Sequence, residues 1–311
     1  MSQALPGRAL VIGGGAMGVG IAAALVAADV DTTVLLRRPD AAEATHREID
    51  RRVAQLLALG VASRPLGTAS VTAGPVRGPF RLVVESIAED VEAKRAVLAE
   101  AEAMTDELGV LTTNTSSLRL GEIGRDLARP ERLAGWHWFN PAELVPLVEV
   151  VSGPATSAEV VDWLTALSVS LGKQPITVRR DVPGFVANRL QYALLREAYA
   201  LVEAGVCDMA DVDRAVVAGV GARWAAIGPF TAMDAAGLDV HEAVAAQLFP
   251  QLDRGTEVPA LLRSLRAAGA VGVKGGSGLR GDYPPDAAHR LAARRDATLA
   301  MLARAAREES R

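Results

Sequence analysis

The feature of this chain that most constrains its fold is a run of glycines directly after a short apolar stretch near the N-terminus. Residues 9–12 (ALVI) end abruptly at three glycines, and the Ala-rich residues 17–28 are apolar all round, as in a helix packed on a sheet. Residues 32–36 (TTVLL) then read as a second strand. A strand, a glycine turn, a helix and a strand make one βαβ unit, which predicts a parallel sheet covered by helices.

The glycines have the spacing of a dinucleotide-binding loop, G-x-G-x-x-G, over residues 13–18 (GGGAMG). The first glycine allows a tight turn, the second lets a pyrophosphate approach the backbone, and the third lets helix and strand pack closely. The helix N-terminus adds N–H donors and positive dipole. A glycine-rich turn without a ligand is the alternative. The predicted cofactor contacts in this loop are Gly13, Gly15, Ala16, Met17 and Gly18.

The end of the second predicted strand bears on which cofactor binds. An NAD-binding unit usually has Asp or Glu there for the ribose 2′-hydroxyl, whereas this chain has Arg37 and Arg38. Because Arg binds phosphate through two parallel hydrogen bonds, the pair favours NADP. In the alternative interpretation both arginines are solvated and Asp40 binds the ribose of NAD.

Further apolar strands alternate with helices as far as residue 178, and only helical patterns follow. The sequence therefore predicts an α/β protein: a Rossmann-like, doubly wound N-terminal sheet (residues 1–182) followed by an all-α domain (residues 183–311). The predicted strands are 82–86, 110–113, 147–151 and 175–178, and the predicted helices are 41–59, 93–104, 158–171, 185–203, one starting after Asp208 and one from residue 287 onward.

Charge and composition limit the possible partners. The chain has 311 residues, a net charge of −4 and a single cysteine, Cys207. The sequence shows no cluster of basic residues that would predict nucleic-acid binding, and no apolar run long enough to predict a membrane span. The stretch before the glycines is too short for a signal peptide, so we expect a cytoplasmic protein in a reducing compartment that binds a small molecule.

The stretch GWHWFNPAELVPLVEV, residues 135–150, contains one histidine in an aromatic run and ends near a carboxylate, Glu149. Oxidation of an alcohol needs a base for the hydroxyl proton, and a histidine with a carboxylate that fixes its tautomer suits that role. His137 and Glu149 are therefore a candidate acid–base pair. The alternative is a core histidine bonded to backbone, with Glu149 facing solvent.

The sequence resembles the 3-hydroxyacyl-CoA dehydrogenase family in four motifs that occur in order: VIGGGAMGVGIA, NTSSL (114–118), HWFNP…LVEVV, and DVPGFVANRL (181–190). The resemblance implies an NAD(P)-dependent oxidoreductase that interconverts 3-hydroxyacyl and 3-oxoacyl groups by hydride transfer. It also implies a role in fatty acid metabolism and a homodimer formed through the helical domain.

The resemblance also implies roles for single residues. His137 would be the base, Glu149 its partner, Ser116 a hydroxyl near nicotinamide and substrate, and Asn188 the group that holds the reacting oxygen. The implied further cofactor contacts are Glu89, Lys94, Asn140 and Lys274. Taken singly, Ser116 could be a turn residue, Asn188 a solvent-facing helix residue, and the charged residues solvated.

The chain departs from the family's acyl-CoA pattern in ways that leave the substrate open. The helical hairpin with the CoA-contacting lysine and serine is shortened, and its counterpart, HREIDRRVAQLLALG (46–60), offers Arg51 and Arg52 but no residue that matches them. The stretch RWAAIGPF (223–230) is more similar to gulonate and carnitine dehydrogenases, which act on small free hydroxy acids, and Arg223 could bind a carboxylate or belong to the domain interface. An acyl thioester, a small free hydroxy acid, and a non-catalytic scaffold are the three hypotheses.

Overall fold

The first unit of the protein is built on one eight-stranded sheet. The computed structural model describes residues 5–309. Its strands are β1 (Arg8–Ile12), β2 (Asp31–Leu35), β3 (Ala69–Thr72), β4 (Phe80–Glu85), β5 (Thr105–Thr113), β6 (Leu133–Trp138), β7 (Leu147–Val151) and β8 (Gln174–Val178). They lie in the order β3-β2-β1-β4-β5-β6-β7-β8. The change of direction at β1 is typical of a doubly wound dinucleotide-binding sheet, so the predicted fold class is confirmed.

All neighbouring strands are parallel except β6 and β7, which are antiparallel and joined only by residues 139–146. So short a connection cannot make the crossover that a parallel pair needs. In the resulting register His137 lies directly opposite Glu149. The sheet is therefore parallel at every strand pair but this one.

Helices cover both faces of the sheet. They are α1 (Ala16–Ala27), α2 (Ala42–Ala58), α3 (Val91–Glu102), α4 (Leu120–Ile123) and α5 (Ala158–Ser170). Apolar residues of α1 and α5 form one core with Trp136 and Trp138 of β6. Apolar residues of α3 and α4 form the second core on the opposite face, with Leu10 and Val83 of the central strands. Both faces of the central strands are therefore buried, which explains their near-continuous apolar sequences.

The second compact unit consists of residues 187–292 and is mainly helical. Its elements are α6 (Ala187–Glu203), α7 (Met209–Ala215), a π-helical turn (Val216–Val220), α8 (Gly221–Ala226), α9 (Pro229–Ala236), α10 (Leu238–Leu248), α11 (Ala260–Ala267), the two-residue strands β9 (Ser277–Gly278) and β10 (Gly281–Asp282), and the start of α12 (Ala287–Glu309). The Asp208 side chain caps α7 by accepting the Asp211 N–H.

The C-terminal helix departs from the predicted domain division. The sequence predicts residues 183–311 as the second domain, whereas residues 293–309 pack with the first unit. Ala300 and Ala303 of α12 are buried against Ala27 and Leu56. Small side chains on this face of the helix allow its close approach, and the sequence pattern did not show which unit the helix would contact.

No single helix among residues 5–309 is long and apolar enough to cross a membrane; only Met209–Ala226 and Pro229–Ala236 taken together, bent by 87°, have that length and composition.

Candidate active site

The glycine loop between β1 and α1 is packed tightly on one side and open on the other. Gly13 has φ of +117°, and a Cβ there would lie 2.3 Å from the carbonyl oxygen of Ser86. A Cβ on Gly18 would lie 2.0 Å from the carbonyl oxygen of Gly13. At Gly15, the N-cap of α1, no heavy atom lies within 4 Å of the position a Cβ would take.

This arrangement fits a dinucleotide. Gly14, Gly15 and Ala16 are exposed and Met17 is half-buried, so the backbone at the start of α1 is accessible to a ligand. A helix N-terminus with free N–H groups and an open backbone approach is a favourable site for a pyrophosphate. The turn Gly13 and the packing residue Gly18 hold that backbone in place.

The residues after β2 are solvent-exposed. The guanidinium Nε of Arg38 lies 3.4 Å from the carboxylate of Asp40, and the two side chains are 68% and 69% exposed. Arg37 is also exposed, and none of the ion pairs in the described chain involves it. Of the two predicted phosphate-binding arginines, only Arg37 is thus without a carboxylate partner among the described residues.

A fully buried ion pair lies where β4 ends. The Nζ of Lys94 on α3 donates to both carboxylate oxygens of Glu85 at 2.7 and 2.9 Å, and the side chains are 1% and 0% exposed. Glu85 also accepts from the Thr113 hydroxyl at 2.6 Å and from the Ile87 N–H at 2.7 Å. Lys94, predicted as a cofactor contact, is therefore not a solvated surface charge.

The second predicted carboxylate in this region, Glu89, holds the turn that contains Ser116. Its Oε1 accepts from the Thr115 hydroxyl at 2.5 Å, the Ser116 N–H at 2.8 Å and the Ser117 N–H at 3.3 Å. Its Oε2 lies 3.3 Å from Lys94 Nζ. Burial is the largest single influence and raises the pKa of Glu89, but the bonds from Thr115 and Ser116 and the charge of Lys94 together hold that pKa below its usual range.

His137 and Glu149 form a buried pair across β6 and β7. The Nδ1 of His137 lies 2.7 Å from Oε2 of Glu149, and the side chains are 6% and 0% exposed. The other oxygen of Glu149 accepts the Val186 N–H at 3.0 Å. No hydrogen bond within residues 5–309 uses Nε2 of His137. The carboxylate therefore fixes one ring nitrogen and leaves the other for proton exchange.

The imidazole of His137 is flanked by phenylalanines and not by the tryptophans next to it in the sequence. Trp136 and Trp138 alternate with His137 along the strand and pack on the opposite face of the sheet, in the core with α1 and α5. The rings next to His137 are Phe139 and Phe185, with centroids 4.5 and 5.4 Å away in edge-to-face geometry. These two phenylalanines, rather than the tryptophans, orient the imidazole plane.

The structure does not bring every predicted site residue into the contacts described above. Asn140 is exposed and follows β6 directly after Phe139. Asn188 lies in the first turn of α6, half-buried, and Lys274 is exposed in a short turn before β9; both belong to the second unit, as does exposed Arg223 of α8. The roles of these residues stay predictions.

Comparison with known proteins identifies the family. Residues 8–182 match 3-hydroxyacyl-CoA dehydrogenase, NAD binding domain, and residues 184–280 match 3-hydroxyacyl-CoA dehydrogenase, C-terminal domain. The chain belongs to the 3-hydroxyacyl-CoA dehydrogenase family. The family resemblance proposed from the four motifs is thereby confirmed.

Individual members of the 3-hydroxyacyl-CoA dehydrogenase family differ in substrate. The chain is 34% identical over 298 residues (94% of this chain, 96% of the relative) to 5-formyl-3-hydroxy-2-methylpyridine 4-carboxylate 5-dehydrogenase of Mesorhizobium japonicum. It is 37% identical over 280 residues (86% and 58%) to 3-hydroxyadipyl-CoA dehydrogenase of Escherichia coli. A crystal structure of 5-formyl-3-hydroxy-2-methylpyridine 4-carboxylic acid 5-dehydrogenase, an NAD+-dependent dismutase, superposes with a TM-score of 0.90 at 33% identity, covering 96% of this chain and 98% of that one.

Family membership decides between the broad hypotheses. The protein is an NAD-binding oxidoreductase that acts on CH–OH groups, and the hypothesis of a non-catalytic scaffold is not supported. When bound, the nicotinamide cofactor supplies the acceptor for a hydride. The exposed backbone of residues 14–16 would hold its pyrophosphate, and His137, paired with Glu149, is the candidate group to take a proton.

Two residues of this region were not predicted. Glu85 had a visible signal, a carboxylate at the end of the apolar stretch LVVES. Asn114 begins the NTSSL motif; its Oδ1 accepts the Trp138 N–H at 2.8 Å and its backbone N–H donates to the Glu85 carbonyl at 2.8 Å. Asn114 therefore ties the end of β6 to the end of β4, which no pattern in a single sequence would reveal.

Proposed function

We propose that the protein is a dehydrogenase of a small free hydroxy acid and that His137 is its general base. In the oxidative direction bound NAD+ would accept the hydride from the C–H bond and become NADH, Nε2 of His137 would take the hydroxyl proton, and the substrate would leave as an oxo acid. Glu149 stabilises the imidazolium that forms. The observation that carries the proposal is the 2.7 Å contact between two buried side chains, which leaves Nε2 without a protein partner in residues 5–309.

Two polar residues complete the proposed chemistry. The Ser116 hydroxyl would lie near the reacting groups, on a turn that Glu89 holds by accepting the Ser116 N–H. Asn188 would donate to the reacting oxygen, where a donor stabilises the negative charge that develops when the reaction runs towards the alcohol. The roles of both rest on the family resemblance.

Helix α2 supports a substrate without coenzyme A. Coenzyme A carries phosphates, which proteins bind with uncommitted cations. In α2, however, Arg51 donates to Glu48 and Gln55. Arg52 is only 13% exposed and donates to Glu48 and Glu143. Both arginines at the position of the family's CoA contacts are thus engaged within the protein, and the Mesorhizobium relative is named for a free pyridine carboxylate.

A 3-hydroxyacyl thioester is the second candidate substrate. It is favoured by the description of both matching domains and by the similarity to 3-hydroxyadipyl-CoA dehydrogenase. This candidate would place the protein in fatty acid metabolism. It requires a phosphate-binding site elsewhere than on Arg51 and Arg52.

A substrate panel distinguishes the two candidates. Purified protein would be given NAD+ with 3-hydroxy acids, carnitine-like and aromatic hydroxy acids, and the CoA thioesters of the same acids, and NADH would be followed by absorbance. We expect kcat/KM for the best free acid to exceed that of its thioester by at least about tenfold. The opposite ranking would establish the thioester, and a His137→Asn variant that kept full activity on either class would refute the proposed base.

The cofactor proposal concerns the 2′-position of the ribose. NAD binding is a property of the family, and Arg37 is the residue through which NADP would also bind, since Arg38 is paired with Asp40. We expect Arg37→Asp to weaken NADP binding in calorimetric titration with little change for NAD+. Arg38→Asp is the matched control. An equal loss for both nucleotides in Arg37→Asp would exclude a 2′-phosphate role.

The second unit supports a homodimer. Its helices from α6 to α11 contain no buried residue among those described, and they expose large apolar side chains, including Phe230 (87%), Tyr192 (67%) and Leu190 (64%). So many exposed apolar side chains mark an association surface. Light scattering should give a dimer and Phe230→Asp a weaker one, whereas Leu108→Asp, at a 67% exposed position of the first unit, should have no effect. A monomeric wild type would refute the proposal.

A further inference from the structure

The buried charge of Glu85 is unusual for its position. It ends a strand whose other residues are largely apolar, and a carboxylate without contact to solvent is unfavourable unless it is paired. Pairing with Lys94 removes that penalty, yet a buried ion pair is seldom more stabilising than apolar side chains of the same volume. The stability of the sheet alone therefore does not explain why a carboxylate and an ammonium occur here.

The ion pair is the inner part of a chain of contacts that reaches Ser116. Lys94 Nζ lies between two carboxylates, 2.7 Å from Glu85 and 3.3 Å from Glu89. Glu89 in turn accepts the backbone N–H groups of Ser116 and Ser117. Each carboxylate oxygen of Glu89 has its own partner: Oε2 faces the ammonium and Oε1 faces the turn.

We propose that Glu85 is a positioning residue for the Ser116 turn. It holds the Lys94 ammonium inside the sheet edge, at a distance where that ammonium fixes Oε2 of Glu89 without displacing Oε1 from the turn. Without the charge of Glu85, the carboxylate left beside Lys94 among residues 5–309 is that of Glu89, and the two are drawn together at the expense of the bonds to Ser116 and Ser117. The Ser116 hydroxyl then loses its fixed direction.

The expected effect of Glu85 on turnover rests on the proposed function, because it assumes that Ser116 contacts the reacting groups. The expected effect of Glu85 on the hydrogen bonds between Glu89 and the Ser116 turn does not depend on that assumption. Hydrogen exchange of the Ser116 and Ser117 amides in the protein without substrate measures the bonds to Glu89 directly. That measurement stays informative even if every substrate in the panel fails.

The test compares three variants by amide exchange: Glu85→Gln, the double variant Glu85→Gln/Lys94→Gln, and Glu92→Gln. Glu85→Gln removes the nearest carboxylate from the buried Lys94 ammonium, which could prevent folding. The double variant removes that ammonium as well, so the test can still be made if the single variant does not fold. Glu92 is the matched control, since it lies on the same helix and pairs with Arg95, outside the chain of contacts.

We expect the Ser116 and Ser117 amides to exchange about tenfold faster in Glu85→Gln, where Lys94 draws Glu89 from the turn, and in the double variant, where no ammonium holds Oε2 of Glu89; the amides of β1 and β5 should be unchanged. With an active substrate, kcat of Glu85→Gln should fall by about tenfold while the substrate KM stays within about twofold. Glu92→Gln should match the wild type. Unchanged exchange at Ser116 and Ser117 would overturn the proposal, and so would faster exchange spread over the whole sheet, which would make Glu85 a stability residue only.

Discussion

Replacement of Glu149 by Gln tests the proposed mechanism most directly, because it removes one charge from a buried site while keeping the side-chain shape. Glu149 has no solvent exposure and lies 2.7 Å from Nδ1 of His137. When the imidazole takes the substrate proton, two opposite unit charges face each other. At an effective dielectric constant of about 20, charges about 4 Å apart interact by roughly 4 kcal/mol.

Not all of this interaction is lost in the variant, since the amide oxygen of Gln still accepts from Nδ1. We therefore expect kcat to fall by roughly 10²–10³-fold, with the NAD+ dissociation constant nearly unchanged. The pH–rate profile should change as well, because the general base loses its anionic partner. Steady-state kinetics over pH 5–10 would measure both effects.

The control for this variant is Glu143→Gln, which alters another buried carboxylate that contacts Arg52 and not His137. It should change stability but not kcat. Glu149 also accepts the Val186 N–H, so its replacement can destabilise the fold. For both variants kcat is therefore calculated per folded molecule, with the folded fraction taken from thermal unfolding. A Glu149→Gln enzyme with the wild-type kcat and pH profile would show that the pair has no catalytic role.

Three further variants test the packing of the glycine loop and of helix α2. Gly18→Ala should destabilise the fold by roughly 1–3 kcal/mol in urea denaturation, because its Cβ would overlap the Gly13 carbonyl oxygen; a fully stable variant would contradict this packing. Gly15→Ala, where a Cβ meets open space, should stay within about 0.5 kcal/mol of the wild type and lose NAD+ affinity instead. Arg52→Met should cost about 3 kcal/mol of stability by leaving Glu143 buried without its cation, and a loss below about 0.5 kcal/mol would show that this pair contributes nothing.

Two of the strands that the sequence predicted well are largely buried. Residues 82–86 and 147–151 are apolar runs, and the observed β4 and β7 agree with them within two residues. The edge strand β3 (ASVT) was not predicted, because it is half-exposed and lacks both an apolar run and a regular alternation. The two-residue strands β9 and β10 are too short to leave any periodic signal. Burial alone does not decide, however, because the fully buried β6 (LAGWHW) was not among the predicted strands, whereas the partly exposed β8 was.

For the candidate site, the sequence predicted which residues take part but not how they contact one another. Motif order predicted that His137 and Glu149 belong together, but it could not predict that Nδ1 is the bonded nitrogen or that Phe185 is a neighbour, 48 residues along the chain. Lys94 shows the limit most clearly. As a residue of a helix it reads as a solvated charge, and only the packing of that helix against β4 brings its ammonium onto Glu85.

The pairing of His137 with Glu149 is a consequence of the short β6–β7 connection. Residues 139–146 permit only an antiparallel pair, and in an antiparallel pair each residue has one partner directly opposite. A slip of one residue would turn Glu149 to the face occupied by Trp136 and Trp138, where a carboxylate would be buried in an apolar core. The same tryptophans that fill that core therefore fix the register, and through it they hold the carboxylate on the imidazole.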